Sequence, residues 1–126
     1  MRSVDTNVLV RLLARDDARQ AGAADDAIAK GAWVSHLVLA EALWVLDAAY
    51  ERTPKQLVAA LELLLAHESL VLQEADVVAA AVAQFRAKPA LGFSDCLVLE
   101  IARKAGQLPL VTFDKALGRL DGAQRL

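Results

Sequence analysis

The segment Arg2-Ser3-Val4-Asp5-Thr6-Asn7 is the starting point for predicting the architecture of this chain. It predicts a short strand over residues 2–5 that runs directly into a helix over residues 7–14, where apolar residues recur at helical spacing. In an open parallel sheet, ligands bind outside the carboxyl ends of the strands. Asp5 stands at such an end and next to the start of a helix, so we expect the functional site to form around it.

The rest of the chain continues this alternation of short strands and helices. Strands are predicted over residues 33–35, 70–72 and 109–113, with a small fifth strand over residues 124–126. Helices are predicted over residues 17–30, 37–51, 54–66, 75–87 and 94–106, the last of them capped by Ser94. This order indicates an α/β fold with a parallel sheet covered by helices on both faces. We see no repeat or linker, and we expect a single domain over residues 1–126.

Composition sets the class of protein. Hydrophobic residues make up 56% of the 126 residues, so we expect part of the apolar surface to meet a partner. The formal net charge of −2 neither supports nor excludes nucleic-acid binding, which would depend on local patches. No apolar run approaches the roughly 20 residues of a membrane span, and we find no signal peptide. The single cysteine, Cys96, excludes a disulfide within the chain, and we expect a cytoplasmic protein.

Glu41 is the only charged residue in the segment from residue 37 to residue 46. We expect the helix around it to be largely buried, because this helix is apolar on nearly every side. A buried carboxylate is costly unless it is paired, hydrogen-bonded or bound to a metal ion. The alternative role for Glu41 is a structural ion pair or an interaction with the helix dipole.

Two further acids, Asp95 and Asp114, stand at comparable positions. In the helix over residues 94–106, Glu100, Arg103 and Lys104 share one face, and Asp95 is expected to project away from it, toward the interior. Asp114 follows the apolar strand over residues 109–113 at its carboxyl end. Each of these acids, like Asp5, has an alternative role as a helix cap. Two acids at strand ends and two in first turns of helices together indicate a shared site.

Four carboxylates in one site point to a divalent metal. Carboxylate oxygens are the ligands that Mg²⁺ and Mn²⁺ prefer, and such an ion removes the repulsion among like charges. A bound ion can polarise a phosphate oxygen and lower the pKa of a bound water, so the set fits metal-assisted phosphodiester hydrolysis. The sequence does not favour a zinc site, since His36 and His67 stand alone, and it has no Gly-rich loop for binding nucleotide phosphates. Cys96 is expected on the outer side of its helix, without a base beside it.

At four places the sequence resembles a known family, the PIN-domain ribonucleases, and more specifically the VapC-type toxins of type II toxin–antitoxin modules. The matching segments are residues 4–9, 34–41, 93–97 and 110–115, in the order that the family has. The resemblance implies a three-layer α/β/α sandwich with a parallel sheet of four or five strands. It implies that Asp5, Glu41, Asp95 and Asp114 hold Mg²⁺ or Mn²⁺ for RNA cleavage, with Asn7 and Thr112 supporting them.

Partners are predicted from the apolar helices and from the basic residues near Asp5. The helices over residues 37–51 and 54–66 carry more apolar surface than one small sheet can cover, which favours a homodimer. The rival account is that both helices are simply core. The resemblance also implies a homodimer, with a groove for a cognate antitoxin. Arg11 and Arg15 are predicted RNA contacts, because Arg11 lies one helical turn beyond Asn7 and Arg15 follows it on the same face.

Two other interpretations stay open at this point. One is a phosphoryl-signalling, receiver-like domain, which also has an acid after its first strand. It needs an acceptor aspartate after the third strand, where this chain has Gln73 and Glu74. The other is a PIN-like binding module without catalytic activity, which a metal-binding titration would distinguish from an enzyme.

Overall fold

Five short strands alternate with six α-helices in the computed structural model, which describes residues 1–126. The strands are β1 (Arg2–Ser3), β2 (Ala32–Val34), β3 (Leu70–Leu72), β4 (Leu110–Thr112) and β5 (Ala123–Arg125). The helices are α1 (Thr6–Ala14), α2 (Ala18–Ile28), α3 (His36–Ala48), α4 (Pro54–Ala66), α5 (Ala75–Ala87) and α6 (Phe93–Lys104). Short 3₁₀ turns cover Pro89–Leu91 and Leu117–Arg119. This order confirms the predicted α/β fold class.

The chain forms two compact units, Met1–Ala75 and Asp76–Leu126, and each is described by itself. The prediction of one domain over residues 1–126 stays a prediction.

The first unit is built on a parallel sheet in the order β1-β2-β3. Its middle strand, β2, buries Ala32 and Val34 on one face and carries Trp33 on the other, as the twofold period of a strand requires. Strand β3 does the same, with Leu70 and Leu72 buried and Val71 exposed. Helix α1 packs against α2 and α3, and α4 packs against α3 and β3. The core of this unit therefore lies on the face that carries the four buried strand residues.

The second unit contains α5, α6 and the parallel pair β4-β5. Helices α5 and α6 each bury one apolar face, and the rings of Phe85 and Phe93 meet edge to face with their centroids 6.3 Å apart. The five strands thus pair as three and two, whereas we expected one sheet of four or five. The strands are only two or three residues long, so each offers few ladder hydrogen bonds.

Side-chain caps fix the starts of the helices in the first unit. The side chains of Asp5, Asp17, Ser35 and Thr53 each accept a hydrogen bond from a backbone N–H in the first turn of α1, α2, α3 and α4. Pro54 follows the last of these caps, at a position where its missing N–H has no helical partner. The prediction that Ser94 caps α6 was wrong. Gly92, with a φ of 79°, precedes that helix, and Ser94 lies inside its first turn.

Two predictions about helix faces were also wrong. Cys96 is fully buried rather than on the outer side of α6, because this helix turns Cys96, Leu97 and Glu100 inward. Helix α3 is not buried on every side, since Leu37 is 68% exposed and Trp44 is 67% exposed. No helix has the length and the apolar character that crossing a membrane requires.

Candidate active site

Asp5 joins the first strand to the first helix. It lies two residues beyond β1 and its backbone is extended, while its Oδ1 accepts a hydrogen bond of 3.1 Å from the N–H of Val8. This contact satisfies one of the orphan donors at the start of α1. The carboxylate is exposed, so its remaining lone pairs can reach a ligand. Asp5 is therefore a cap and a candidate ligand at the same time.

Glu41 is held by the residue that follows Asp5. The hydroxyl of Thr6 donates a hydrogen bond of 2.7 Å to Oε2 of Glu41. The packing of α1 against α3 makes this contact possible. Glu41 itself is exposed on α3, which corrects the expectation of a buried carboxylate. Thr6 had no predicted role at the site, so its contact with Glu41 was missed.

Asp95 and Asp114 both lie in the second unit. Asp95 lies in the first turn of α6 and is half-buried, and both its burial and the negative charge of Asp114 raise the pKa of its carboxyl group. Asp114 follows β4, and its Oδ1 accepts a hydrogen bond of 2.8 Å from the N–H of Leu117. The hydroxyl of Thr112 accepts one of 3.0 Å from the N–H of Asp114. Thr112 thus steadies the backbone that carries this acid.

The acids therefore occur two to a unit. No group of three or more His, Cys, Asp or Glu side chains is placed so that it could hold a metal ion. The shared site of four acids stays a prediction. The donor chemistry within each unit nevertheless fits a hard divalent cation, because every donor is a carboxylate oxygen. Burial first, and then the negative charge of Asp114, raise the pKa of Asp95, and a bound cation would offset the repulsion between the two carboxylates.

The two predicted RNA contacts are both engaged with carboxylates. Arg11 forms an ion pair of 3.0 Å with Asp16, and the hydroxyl of Tyr50 bridges the same two side chains. Arg15 forms a bidentate pair with Asp25, with N–O distances of 3.0 and 2.7 Å. Asn7, expected to support the acids, is exposed in the first turn of α1. All three roles stay predictions.

A comparison with protein-family models identifies the family. The model described as "PIN domain" matches residues 3–123, a span that includes all four acids. The chain belongs to the PIN domain family. PIN domains are generally metal-dependent nucleases, so this PIN domain is assigned as a hydrolase acting on nucleic acid with a divalent metal ion. No curated protein and no solved structure matches the chain.

Proposed function

We propose that this PIN domain is an endoribonuclease that uses Mg²⁺ or Mn²⁺ to hydrolyse RNA phosphodiester bonds. The observation that carries the proposal is the family match over residues 3–123, which takes in Asp5, Glu41, Asp95 and Asp114. The local contacts support it. The hydroxyl of Thr6 donates a hydrogen bond to the carboxylate of Glu41, and the hydroxyl of Thr112 accepts one from the backbone N–H of Asp114.

The residues of the site divide into metal ligands and groups that hold these ligands in place. A divalent cation, when bound, polarises a phosphate oxygen and makes hydroxide available from water near neutral pH. Asp5, Glu41, Asp95 and Asp114 supply the oxygen ligands that would hold it. Thr6 orients the Glu41 carboxylate, and the backbone N–H groups of Val8 and Leu117 fix one oxygen each of Asp5 and Asp114. Thr112 fixes the chain that leads into Asp114.

We further propose that the enzyme is the toxin of a VapC-type toxin–antitoxin pair and acts in the cytoplasm as a homodimer. The exposed apolar side chains Leu37 and Trp44 on α3, and Leu63 on α4, support a protein partner. Burying an exposed leucine stabilises a complex by roughly 1.5–3 kcal/mol, so several across a twofold axis could hold two chains together. Light scattering at micromolar concentration tests the dimer. Co-purification of a small protein that suppresses cleavage tests the antitoxin.

Asp5→Asn tests the catalytic proposal with little disturbance of the fold. The asparagine amide oxygen can still accept the bond from the N–H of Val8, so the cap on α1 is kept while the charge is lost. Cleavage of a single-stranded RNA in Mg²⁺ or Mn²⁺ should fall to near background, and EDTA should abolish wild-type cleavage. Asp17→Asn is the matched control, because Asp17 caps α2 in the same way and is not among the four acids.

Full activity of the Asp5→Asn protein, in preparations free of contaminating nuclease, would overturn the proposal. A wild-type protein that binds divalent metal but cleaves no RNA would instead be the inactive binding module.

A further inference from the structure

A cavity of about 510 Å³ opens beside Asp5 in the unit Met1–Ala75. It has no part in the roles assigned above apart from this one acid. Its walls include Arg2, Ser3, Trp33 and Ser35 as well as Asp5. The volume lies within the range of about 300–1,000 Å³ that is usual for small-molecule sites, so the cavity is large enough for a nucleoside.

Residues of β1 and β2, and residues that directly follow these strands, line the cavity. Side chains two residues apart on a strand share a face, which places Ser3 with Asp5 and Trp33 with Ser35. Strands β1 and β2 pair so that Ser3 lies beside Trp33, and the N–H of Val4 donates a bond of 3.2 Å to the carbonyl of Trp33. The cavity therefore runs along two neighbouring strands toward the end where Asp5 stands.

An aromatic side chain, that of Trp33, lines part of this cavity. The side chain of Trp33 is 36% exposed, although its neighbours along the strand are buried. A large indole left open in the middle strand of a sheet loses apolar burial, and this loss is offset when a flat ligand covers it. Aromatic side chains of this kind are the usual platforms for the unpaired bases of single-stranded RNA.

Polar groups surround this aromatic surface. The guanidinium of Arg2 is fixed by a hydrogen bond of 2.6 Å from its Nη2 to the carbonyl of Ala27 on α2, and its other N–H groups stay available. Ser3 and Ser35 line the same cavity as Trp33. Ser35 also caps α3, whose N-terminal end carries partial positive charge. Hydroxyl and guanidinium donors beside an indole suit a ribose and a base.

We propose that this cavity binds one nucleoside unit of the RNA, with its base stacked on Trp33, next to the phosphodiester that is cleaved at Asp5. The proposal rests on the proposed function, since it takes RNA as the ligand. Trp33 then positions the nucleotide that flanks the cleavage site.

The fluorescence of Trp33 measures occupancy of the cavity without any cleavage. The chain has two tryptophans, so in a Trp44→Phe variant Trp33 is the only one. The full-length variant is titrated in EDTA with adenosine, guanosine, cytidine and uridine, and with ribose as the control that lacks a base. At least one nucleoside should quench the emission of Trp33 saturably, and ribose should not. In a Trp33→Phe variant, Trp44 should show no saturable quenching.

Kinetics test whether the cavity is used by RNA. Loss of one base–aromatic stack should raise KM for a single-stranded RNA by roughly 5- to 150-fold in a Trp33→Leu variant, with kcat little changed. Trp33→Phe keeps an aromatic ring and should show a smaller rise. Val71→Ala is the control, because Val71 is exposed on β3 of the same sheet and does not line the cavity, and the KM of this variant should stay at the wild-type value.

The two proposals can fail separately. Saturable quenching of Trp33 in a protein that never cleaves RNA would support the nucleoside site and overturn the nuclease. Normal metal-dependent cleavage with no quenching by any nucleoside would overturn the nucleoside site alone. So would a Trp33→Leu variant that remains folded by circular dichroism and has the wild-type KM.

Discussion

Thr6→Val removes the hydroxyl that holds Glu41 and changes little else. Valine has nearly the same shape as threonine, so the packing of α1 against α3 is kept while the 2.7 Å hydrogen bond is lost. A hydrogen bond to a charged group contributes about 1.5–3 kcal/mol when it is buried. Glu41 is exposed and Thr6 is half-buried, so water can replace the donor, and we expect a loss of only about 0.5–1 kcal/mol.

A loss of this size lowers the melting temperature of a domain of 126 residues by about 2–5 °C. The effect on cleavage should be larger, because a displacement of about 1 Å at a catalytic group can reduce the rate about 100-fold. We therefore expect kcat/KM for a fluorogenic single-stranded RNA to fall roughly 10- to 100-fold in the Thr6→Val protein. Thermal melting followed by circular dichroism measures stability on the same samples.

Thr6→Ser is the control, because serine restores the donor, and it should recover most of the activity. In a double-mutant cycle with Glu41→Gln, the second change should add little to the first, since both remove the function of the same carboxylate. If Asp5→Asn inactivates the nuclease but the Thr6→Val protein keeps the wild-type kcat/KM, the contact between Thr6 and Glu41 has no catalytic role.

Three further predictions concern stability and reactivity. Leu61→Ala should destabilise the fold by about 2–5 kcal/mol in urea melts, because this side chain is 0% exposed, whereas Leu63→Ala on the same helix, at 54% exposed, should cost far less. The pKa of Cys96 is raised to about 11, by burial first and then by neighbouring negative charge, so iodoacetamide at pH 8 should leave the folded protein unmodified and alkylate it in urea. The hydrogen bond from Arg15 lowers the pKa of Asp25 below its usual 3.8. The ionised Asp25 carboxylate therefore stabilises the fold above pH 3.8, and this contribution is lost as the pH falls through the pKa of Asp25 in the folded protein. The Asp25→Asn variant should be less stable than wild type at pH 7 and equally stable in strong acid. The burial of Cys96 would be contradicted by equal alkylation with and without urea. The burial of Leu61 would be contradicted by equal losses of stability in Leu61→Ala and Leu63→Ala. The pairing of Arg15 with Asp25 would be contradicted if the stability difference between Asp25→Asn and wild type grew in acid.

The order of the strands and helices could be predicted from the sequence because apolar spacing and caps are local signals. The segment from Pro54 to Ala66 illustrates this, since the predicted helix bounds are the observed ones. Strand pairing is not local. The division of five strands into three and two depends on which short ladders form, and no residue in the sequence indicates it.

The wrong face of α6 has a specific physical reason. We assigned Glu100 to the solvent with Arg103 because charged residues usually mark the exposed side of a helix. Glu100 is instead buried, since Arg103 reaches it at 3.1 Å and pairs with its charge, and Cys96 turns inward with it. The contact between Thr6 and Glu41 was missed for a related reason, because 35 residues separate its two partners.

The caps at Asp5 and Asp114 make two backbone amides into natural reporters of the candidate ligands. The N–H of Val8 and the N–H of Leu117 each donate to a single oxygen of one of these carboxylates. A cation that draws charge from the carboxylate weakens that hydrogen bond, so the proton resonances of both amides should move upfield on titration. Neither amide belongs to a titratable group. NMR spectra of the uniformly ¹⁵N-labelled chain can therefore follow cation binding at Asp5 and at Asp114 separately, with no RNA present and no residue changed.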